Sequence, residues 1–330
     1  MARINVGVLR GGPSNEYEVS LLTGSAVLEH LPEDKYNTKD ILISRDGSWH
    51  TRGMQTTPDR ALCDIDVVFV ALHGEYGEDG AVQRILESHR IPYTGSRAFA
   101  SAIAMDKGRT RAHVGSLEGI RMPGHVVLQY EQVGHSLKQA AQQVFAQFGP
   151  SYIVKPLRGG SSVGIGIAHS VAELPEVLDE VFAATDAVIV EQFITGREAT
   201  CGVIEDFRDE PLYTLPPVEI LVPKGRSLFD YTSKYSGATT EECPANFTDD
   251  EKERIQRAAQ RVHEALGLTH YSRSDFIVTP SGIYFLEVNT LPGLTPTSLL
   301  PKSLEAIGVP FPSLLDHLIT LSIRKYGNTR

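Results

Sequence analysis

The sequence predicts an α/β (α+β) protein of three domains, with a parallel sheet in the N-terminal domain. Up to about residue 96, apolar strand-like runs alternate with helix-like segments, a pattern typical of a parallel sheet. Near the end of the chain, two strand-rich runs meet at Pro280-Ser281-Gly282 and predict an antiparallel hairpin. The length of 330 residues is enough for two or three such domains.

Charge and cysteine content argue against several classes of protein. The formal net charge of -10 disfavours nucleic acid, whose binding needs a basic stripe. The 3 cysteines are far apart and lack C-x-x-C spacing, so neither a disulfide framework nor a structural zinc site is indicated. No apolar run reaches the roughly 18 residues of a membrane span, and the N-terminus does not fit a signal peptide. We therefore expect a cytoplasmic protein that binds neither nucleic acid nor membrane.

The first domain, expected over residues 1–96, is predicted from two strand–helix pairs. A strand at 4–9 precedes a helix at 18–31, and a buried strand at 64–72 precedes a helix at 81–88. Both strands end in glycine-rich polar loops. Ligands of parallel sheets bind at this edge, so the two loops are candidate binding loops.

The two loops carry Glu16 and His73. Glu16 lies at a helix start, where a carboxylate is favourable and where it could also take the ammonium of a small ligand. For His73 two interpretations stay open: a satisfied structural histidine, which is the commoner case, or a ligand-site residue at a strand's carboxyl end. Gly11-Gly12 matches neither dinucleotide nor P-loop spacing, so no phosphate site is predicted there.

The second domain, expected over 97–190, contains a glycine/serine-rich stretch at 157–167 after a strand that ends in Lys155-Pro156. Its G-x-S-x-G motif would fit a serine-hydrolase elbow with Ser162 as nucleophile, but that elbow needs a following helix and these residues alternate like a strand. The stretch predicts a flap whose backbone N–H groups cover phosphates. Lys107 and Lys155, which both precede this stretch in sequence, can each supply a positive charge to a polyphosphate, or they can be ordinary solvated lysines.

The third domain is expected over 191–330. An apolar run at 187–194 followed by Glu198 suits a strand and linker that hold adenine through backbone groups and ribose through the carboxylate, although a core strand with surface carboxylates looks the same. The polar stretch 222–246 predicts a lid loop. A helix is expected at 249–266 before the hairpin.

The hairpin presents a candidate metal site. A period of two places Glu287 and Asn289 on one strand face, and Asp275 joins them if the strands pair in register. Three oxygen ligands without cysteine or histidine suit Mg²⁺ better than zinc. A solvated hairpin face is the alternative interpretation.

Taken together, the motifs resemble the D-alanine–D-alanine ligase family of ATP-grasp enzymes, in the family's order and over nearly the whole chain. They comprise Glu16 in a Gly-Gly-x-Ser-x-Glu context, His73-Gly74 with Gly77-Glu78-Asp79-Gly80, Met105-Asp106-Lys107, Lys155-Pro156 with Gly160-Ser161-Ser162, Lys234-Tyr235, Arg273-x-Asp275, and Glu287-x-Asn289-Thr290-x-Pro292-Gly293 with Ser298. The resemblance implies a three-domain ATP-grasp architecture. It also implies ligation of two D-alanines through a D-alanyl phosphate, with release of ADP and phosphate, for peptidoglycan precursors.

The resemblance also implies roles for individual residues. Mg²⁺, as two ions that Mn²⁺ can replace, would be bound by Asp275, Glu287 and Asn289. ATP would contact Lys107, Lys155, Ser161, Ser162, Glu191, Ile194, Glu198 and Lys234. D-Alanine would contact Glu16, His73, Glu78, Ser298 and Leu299. Catalytic roles would fall to Glu16, Ser161, Tyr235, Arg273 and Gly293: Arg273 and the Gly293 N–H would stabilise an oxyanion, while Ser161 and Tyr235 would link flap and lid to Glu16.

Alternatives to this function remain. A ligase for D-alanine and D-lactate, or another ATP-grasp carboxylate–amine ligase, would share the motifs; Tyr235 favours a dipeptide product, because depsipeptide ligases commonly lack this lid tyrosine. A nucleotide-binding regulatory protein without catalysis is a third possibility. The family resemblance further implies a homodimer.

Overall fold

Three β-sheets form the fold in the computed structural model, which describes residues 3–160, 164–221 and 240–327. Of the residues predicted to line the site, Ser161, Ser162, Lys234 and Tyr235 lie outside these ranges. The remaining predicted site residues lie within the described ranges.

The N-terminal sheet is mixed, with strand order β4-β3-β2-β1-β5. Its strands are β1 Ile4–Gly11, β2 Tyr36–Ile43, β3 Trp49–Thr51, β4 Met54–Thr56 and β5 Val67–Val70. The predicted parallel sheet is confirmed for β2, β1 and β5, whereas β3 and β4 add an antiparallel edge that the alternation did not predict. Turns at Gly47 and Gly53, both with positive φ, connect this edge.

Three helices accompany this sheet: α1 Tyr17–His30, α2 Pro58–Ala61 and α3 Ala81–Ser88. The helices predicted at 18–31 and 81–88 are thereby confirmed to within one residue. The strand predicted at 64–72 is shorter, and its start was placed too early. Asp64 has φ of 62°, which a strand residue does not adopt.

The second sheet is wholly antiparallel, in the order β6-β9-β7-β8. The elements in this part of the chain are α4 Ala98–Met105, α5 Lys107–Val114, β6 His125–Gln129, α6 Tyr130–Val133, α7 Leu137–Phe145, β7 Tyr152–Pro156, β8 Gly166–Ala168, α8 Leu174–Phe182 and β9 Ala187–Gln192. The glycine/serine stretch connects β7 to its neighbour β8, as expected of a flap. From Gly164 on, the chain forms a turn and then β8, which does not fit the helix required after a hydrolase nucleophile.

The third sheet has the order β13-β12-β10-β14-β15, with β11 paired to β10. This part of the chain contains β10 Arg197–Phe207, β11 Glu210–Thr214, β12 Val218–Leu221, β13 Thr240–Glu242, α9 Asp249–Ala265, β14 Tyr271–Thr279, β15 Gly282–Asn289, α10 Leu299–Ala306 and α11 Phe311–Gly327. The prediction of a continuous loop over 222–246 was wrong at Thr240–Glu242, which pairs with β12. Residues 222–239 lie outside the described ranges.

Helix α9 shows why its predicted bounds were nearly right. Thr248 accepts a hydrogen bond from the Glu251 N–H, and the Glu251 carboxylate accepts one from the Thr248 N–H, forming a capping box. Ile255, Ala259 and Val262 recur at helical spacing and are buried. These signals lie within the helix itself, so the sequence alone identifies it.

The hydrophobic cores link segments that are distant in sequence. One core joins β1 and β5 to α11, through buried residues that include Leu314, Leu318 and Ile319. Another joins α4 to β10, β14 and β15. Within the described residues no single helix is long and apolar enough to cross a membrane, and α10 and α11 meet that criterion only when combined across a 108° bend.

Candidate active site

Three neighbouring cavities lie where the sheets meet. The first, of about 230 Å³, lies between the N-terminal loops and the flap. The second, of about 480 Å³, and a small third, of about 30 Å³, share lysines with it. Predicted site residues line each of them. The first cavity is lined by Glu16, Lys107, Lys155 and Glu287. The second is lined by Lys155, Glu191, Ile194 and Glu198, and the third by Glu78, Lys107, Glu287 and Asn289. Lys155 therefore connects the first cavity to the second, and Lys107 and Glu287 connect it to the third.

The loops after β1 and β5 are adjacent because these strands pair in parallel. Ser14 fastens them together: its hydroxyl donates to the His73 carbonyl at 2.7 Å and accepts from the Glu16 N–H at 3.2 Å. The expectation that both loops meet at the carboxyl edge of the sheet is thus confirmed. The sequence analysis included Ser14 in the Gly-Gly-x-Ser-x-Glu motif but predicted no contact for it.

Glu16 lies half-buried at the start of α1, with its carboxylate between the loop and the flap. A Cβ atom placed on Gly74 would lie 2.8 Å from Glu16 Oε2, and one on Gly160 would lie 3.9 Å from it. Gly74 also has φ of 70°. A side chain at position 74 is therefore disfavoured both by backbone conformation and by the space that Glu16 occupies.

His73 is a buried, neutral side chain. Its Nδ1 lies 2.9 Å from the Leu291 carbonyl, and its Nε2 lies 2.7 Å from Thr23 Oγ1. Burial lowers the pKa of His73 to about 4. His73 is not among the described residues that line the three cavities. Of the two interpretations left open by the sequence, the structure favours the satisfied histidine.

Lys107 holds the base of the flap. Its ammonium donates to the Gly159 carbonyl at 2.7 Å, and the side chain is buried. Burial lowers the pKa of Lys107, while the nearby Glu287 carboxylate opposes that shift. The lysine is therefore a buried charge at the cavity wall and not a solvated surface group.

Glu191 is fixed between two cations. One carboxylate oxygen accepts from Arg111 Nη2 at 2.5 Å, and the other accepts from Lys155 Nζ at 2.8 Å. All three side chains are buried. Burial by itself raises the pKa of Glu191, but the Lys155 and Arg111 charges outweigh it and lower the pKa to about 2. Glu191 thus stays ionised and holds Lys155 in place where the first two cavities meet.

The predicted metal ligands come together on the hairpin. Asp275 is directly opposite Glu287 in the antiparallel register, and the Asn289 amide donates to Asp275 at 3.3 Å. All three are half-buried, so the face is not simply solvated. Within the described ranges no three His, Cys, Asp or Glu side chains form a metal-binding group. Two carboxylates and an amide nevertheless fit Mg²⁺, which is commonly held by one or two carboxylates together with substrate phosphates and water.

Asp275 has further partners that the sequence analysis did not identify. Thr200, on the neighbouring strand β10, donates its hydroxyl hydrogen to Asp275 at 2.5 Å. Arg273 donates to both carboxylate oxygens, each at 3.0 Å. These contacts fix the orientation of the carboxylate before any ligand binds.

Gly293, Ser298 and Leu299 lie together after the hairpin. A Cβ on Gly293 would come within 2.8 Å of Ser298 Oγ, which is also 2.8 Å from Thr295 Oγ1. Ser298 precedes α10, and Leu299 is its buried first residue. The start of this helix presents backbone N–H groups, which favour an anion such as a carboxylate.

Comparison with known proteins identifies the family. A family model described as the D-ala D-ala ligase N-terminus matches residues 5–61 and 50–96, and one described as the D-ala D-ala ligase C-terminus matches residues 116–320. The chain belongs to the D-alanine–D-alanine ligase family. This membership confirms the resemblance read from the motifs.

Individual members of the family are similar over almost their whole length. The D-alanine–D-alanine ligase of Syntrophotalea carbinolica is 41% identical over 324 residues, which is 97% of each chain. The VanG D-Ala:D-Ser ligase of Enterococcus faecalis matches with a TM-score of 0.83 and 34% identity, over 97% of this chain and 100% of that one. The D-alanine–D-alanine ligase of Bacillus anthracis, solved in complex with ATP, matches with a TM-score of 0.78 and 32% identity, over 99% of this chain and 100% of that one.

Arg111, the buried partner of the cavity-lining Glu191, is the main contact of this site that sequence reasoning missed. It lies 80 residues before its partner Glu191 and also donates to the Leu286 carbonyl at 2.5 Å. The available signal was its spacing four residues after Lys107 on α5, which places both cations on one helix face. That spacing does not reveal a carboxylate in another sheet.

Proposed function

We propose that this chain is an ATP-dependent ligase that joins two D-alanines to D-alanyl-D-alanine, supplying a peptidoglycan precursor. The observation that carries the proposal is the connected set of cavities, which brings together a carboxylate for an ammonium (Glu16), two buried lysines, and Glu287 and Asn289 of the hairpin. Membership of the ligase family supports the same reaction.

ATP would occupy two of the cavities. The 480 Å³ cavity would take the adenosine, with Ile194 beside the base, Glu191 at its inner wall and Glu198 near the ribose. The triphosphate would then extend past Lys155 towards Lys107 and the flap. Mg²⁺ held by Asp275, Glu287 and Asn289, as two ions replaceable by Mn²⁺, would neutralise charge on the phosphates.

The first chemical step is phosphorylation of the first D-alanine. Its ammonium pairs with Glu16, and its carboxylate oxygen forms a bond to the γ-phosphorus as the bond to the bridging oxygen breaks and ADP leaves. Two anions approach each other in this step, so the Lys107 and Lys155 charges lower the barrier by offsetting their repulsion.

The second step is acyl transfer. The neutral amine of the second D-alanine attacks the carbonyl carbon of the D-alanyl phosphate, the resulting oxyanion is stabilised by Arg273 and the Gly293 N–H, and phosphate leaves as the amine loses its proton. Ser298 and the Leu299 N–H at the start of α10 hold the second carboxylate. Ser161 and Tyr235, expected to close the site over Glu16, belong to this proposal through the family motifs alone.

The remaining expectations are part of the same proposal. The protein acts in the cytoplasm, where it meets ATP, and it forms a homodimer. Its partners are small molecules and not nucleic acid or membrane, in keeping with the net charge of -10. Light scattering after size-exclusion chromatography checks the dimer, for which a mass of one chain would be the contrary result.

The test is phosphate release from Mg-ATP by the purified protein, with D-alanine, with L-alanine and without amino acid. Release that requires D-alanine and accompanies equimolar dipeptide supports the proposal. ATP binding without release under any of these conditions would contradict it and would favour a non-catalytic nucleotide-binding role.

A second candidate differs in the second substrate only. The structural likeness to a D-Ala:D-Ser ligase, at 34% identity, makes D-serine a specific alternative acceptor. D-Lactate, which would give a depsipeptide, is the other alternative that the motifs left open. Competition among equal concentrations of D-alanine, D-serine and D-lactate, read by mass spectrometry of the products, separates the three.

A further inference from the structure

The backbone of Leu291 is held from both sides by the N-terminal domain. Its N–H donates to Glu78 Oε1 at 2.8 Å, and its carbonyl accepts from His73 Nδ1 at 2.9 Å. The two partners lie 213 and 218 residues away in sequence, both in the loop that follows β5. One loop of the first domain therefore grips the backbone of one residue, Leu291, in the last.

The Leu291 side chain adds a third contact. It is 2% exposed and belongs to the hydrophobic core of the N-terminal sheet. A Cβ atom on Gly95 would lie only 2.6 Å from Leu291 Cδ2, which shows how closely the chain packs there. Backbone and side chain together fix this residue relative to β5.

The hydrogen-bond directions in this grip are determined. A carbonyl can only accept, so His73 Nδ1 carries the proton and Nε2 accepts from the Thr23 hydroxyl, 2.7 Å away. Because burial lowers the pKa of His73 to about 4, this neutral tautomer persists at physiological pH. Burial, reinforced by the Glu16 carboxylate, raises the pKa of Glu78 to about 8. Glu78 can accept from the Leu291 N–H in either protonation state.

The position of Leu291 gives the grip its significance. Asn289, on the metal-binding face, lies two positions before it, and Gly293 lies two positions after it. Fixing Leu291 therefore fixes the geometry between the hairpin face and the segment that leads to Ser298. Displacements of about 1 Å in such a segment cost up to about a hundredfold in rate.

We propose that His73 and Glu78 are positioning residues that act through the Leu291 backbone, holding Gly293 and Ser298 in register with the hairpin face for acyl transfer. This inference rests on the proposed function and changes the role that the family resemblance implied for both residues, which was contact with D-alanine. Lys107 and Lys155 lie on other elements, and Glu16 is connected to this loop through Ser14 and not through Leu291. Phosphorylation of the first D-alanine therefore depends less on the grip than acyl transfer does.

Hydroxylamine separates the two steps experimentally. Its nitrogen bonds to the carbonyl carbon of the acyl phosphate as phosphate leaves, giving D-alanyl hydroxamate, and it has no carboxylate for the start of α10 to hold. Hydroxamate formation at high hydroxylamine concentration thus reports the first step, while dipeptide formation reports both. Wild-type protein that makes neither product would contradict the proposed function itself.

The variants distinguish a grip from a substrate contact. Glu78→Leu removes the acceptor for the Leu291 N–H, and we expect dipeptide formation to fall by about tenfold more than hydroxamate formation, with a raised KM for the second D-alanine. Glu78→Gln keeps a neutral oxygen acceptor, so we expect it to recover most of that loss. We likewise expect dipeptide formation to be faster in His73→Asn, which keeps an N–H donor, than in His73→Leu.

Two further variants complete the test. Glu87→Leu is the matched control, because Glu87 also accepts a backbone N–H, that of Ala98 at 3.2 Å, but away from the cavities; its hydroxamate and dipeptide rates should change in parallel. If Glu78→Leu does not fold, Thr23→Val takes its place, because it removes the hydroxyl that orients His73. We expect dipeptide formation in Thr23→Val to fall by about threefold more than hydroxamate formation. Equal loss in Glu78→Gln and Glu78→Leu, or parallel loss of both products in the folded grip variants, would overturn the proposal.

Discussion

Arg273 and Asp275 form a two-pronged ion pair along one face of β14. The Nε and Nη2 atoms of Arg273 each lie 3.0 Å from a different carboxylate oxygen of Asp275, and the two side chains are only 12% and 16% exposed. Residues two apart on a strand share a face, so this geometry follows from the Arg-x-Asp spacing itself. The pair places a fixed positive charge beside the proposed metal ligands.

The pair leads to a prediction about Arg273. Arg273→Ala should lower turnover by about a hundredfold or more, because a charge directed at the developing oxyanion is lost. The dissociation constant for ATP should change little, since Arg273 is not among the described residues that line the cavity of about 480 Å³ proposed for the adenosine. Steady-state kinetics and calorimetry measure the two quantities. Turnover near that of the wild type would rule out the oxyanion role.

A second prediction concerns Glu16. Glu16→Gln removes the charge proposed to pair with the first ammonium and should raise the KM for the first D-alanine by about tenfold or more, while ATP affinity is retained. Glu18→Gln is the matched control, because Glu18 is an exposed carboxylate on the same helix that pairs with Arg45 at 2.9 Å; it should change KM by less than about twofold. An unaltered dependence on D-alanine in Glu16→Gln contradicts the assignment.

The hairpin ligands give a third prediction. Glu287→Gln should raise the free Mg²⁺ concentration needed for half-maximal activity by on the order of tenfold, because one of two carboxylates loses its charge. Glu241→Gln removes a carboxylate on the same sheet that instead pairs with Lys302. Its Mg²⁺ profile should match the wild type. Superimposable Mg²⁺ titrations of Glu287→Gln and the wild type would mean that Glu287 is not a ligand.

A fourth prediction concerns stability and pH. The pKa of Glu191 is lowered from 4.5 to about 2 in the folded protein, so its contribution to stability is present above pH 4.5 and is lost as the pH falls towards 2. Arg111→Met should reduce the free energy of unfolding at pH 7 by about 3–5 kcal/mol, because it removes one partner of a buried ion pair. It should also flatten the decline below pH 4.5.

Denaturant unfolding at a series of pH values measures this effect. Arg10→Met is the control, since Arg10 pairs with Asp40 at the surface and should cost no more than about 1 kcal/mol. The pKa of Glu205 is also lowered to about 2 despite its burial. The free energy of unfolding of both variants therefore still decreases to some extent as the pH falls below 4.5. A pH profile of Arg111→Met parallel to that of the wild type would be incompatible with the role given to the pair.

Sequence reasoning succeeded where the signal is local. The helix predicted at 249–266 and the strand with a period of two predicted at Glu287-Val288-Asn289 rest on signals within or next to each element, and both elements are confirmed. It failed where a contact is made across the fold. Arg111 and Thr200 meet their carboxylates only because separate strands and helices pack together, and no local periodicity encodes those partners.

The edge strands were harder to predict for a related reason. β3, β4 and β13 have three residues each, too short for a period of two to be distinguished from a loop. β13 exists because β12 offers it a pairing edge. Its formation is thus a tertiary effect, and the polar composition of 222–246 indicated only a loop.

Oxygen transfer from the first substrate to phosphate tests the central claim most directly. D-Alanine labelled with ¹⁸O in both carboxylate oxygens is incubated with Mg-ATP and the protein in unlabelled water, and the released phosphate is analysed by mass spectrometry. Because a carboxylate oxygen bonds to the γ-phosphorus and leaves with it, the account predicts one ¹⁸O atom in each phosphate formed with dipeptide. Phosphate without ¹⁸O would show that water attacks ATP, and it would contradict the acyl-phosphate mechanism.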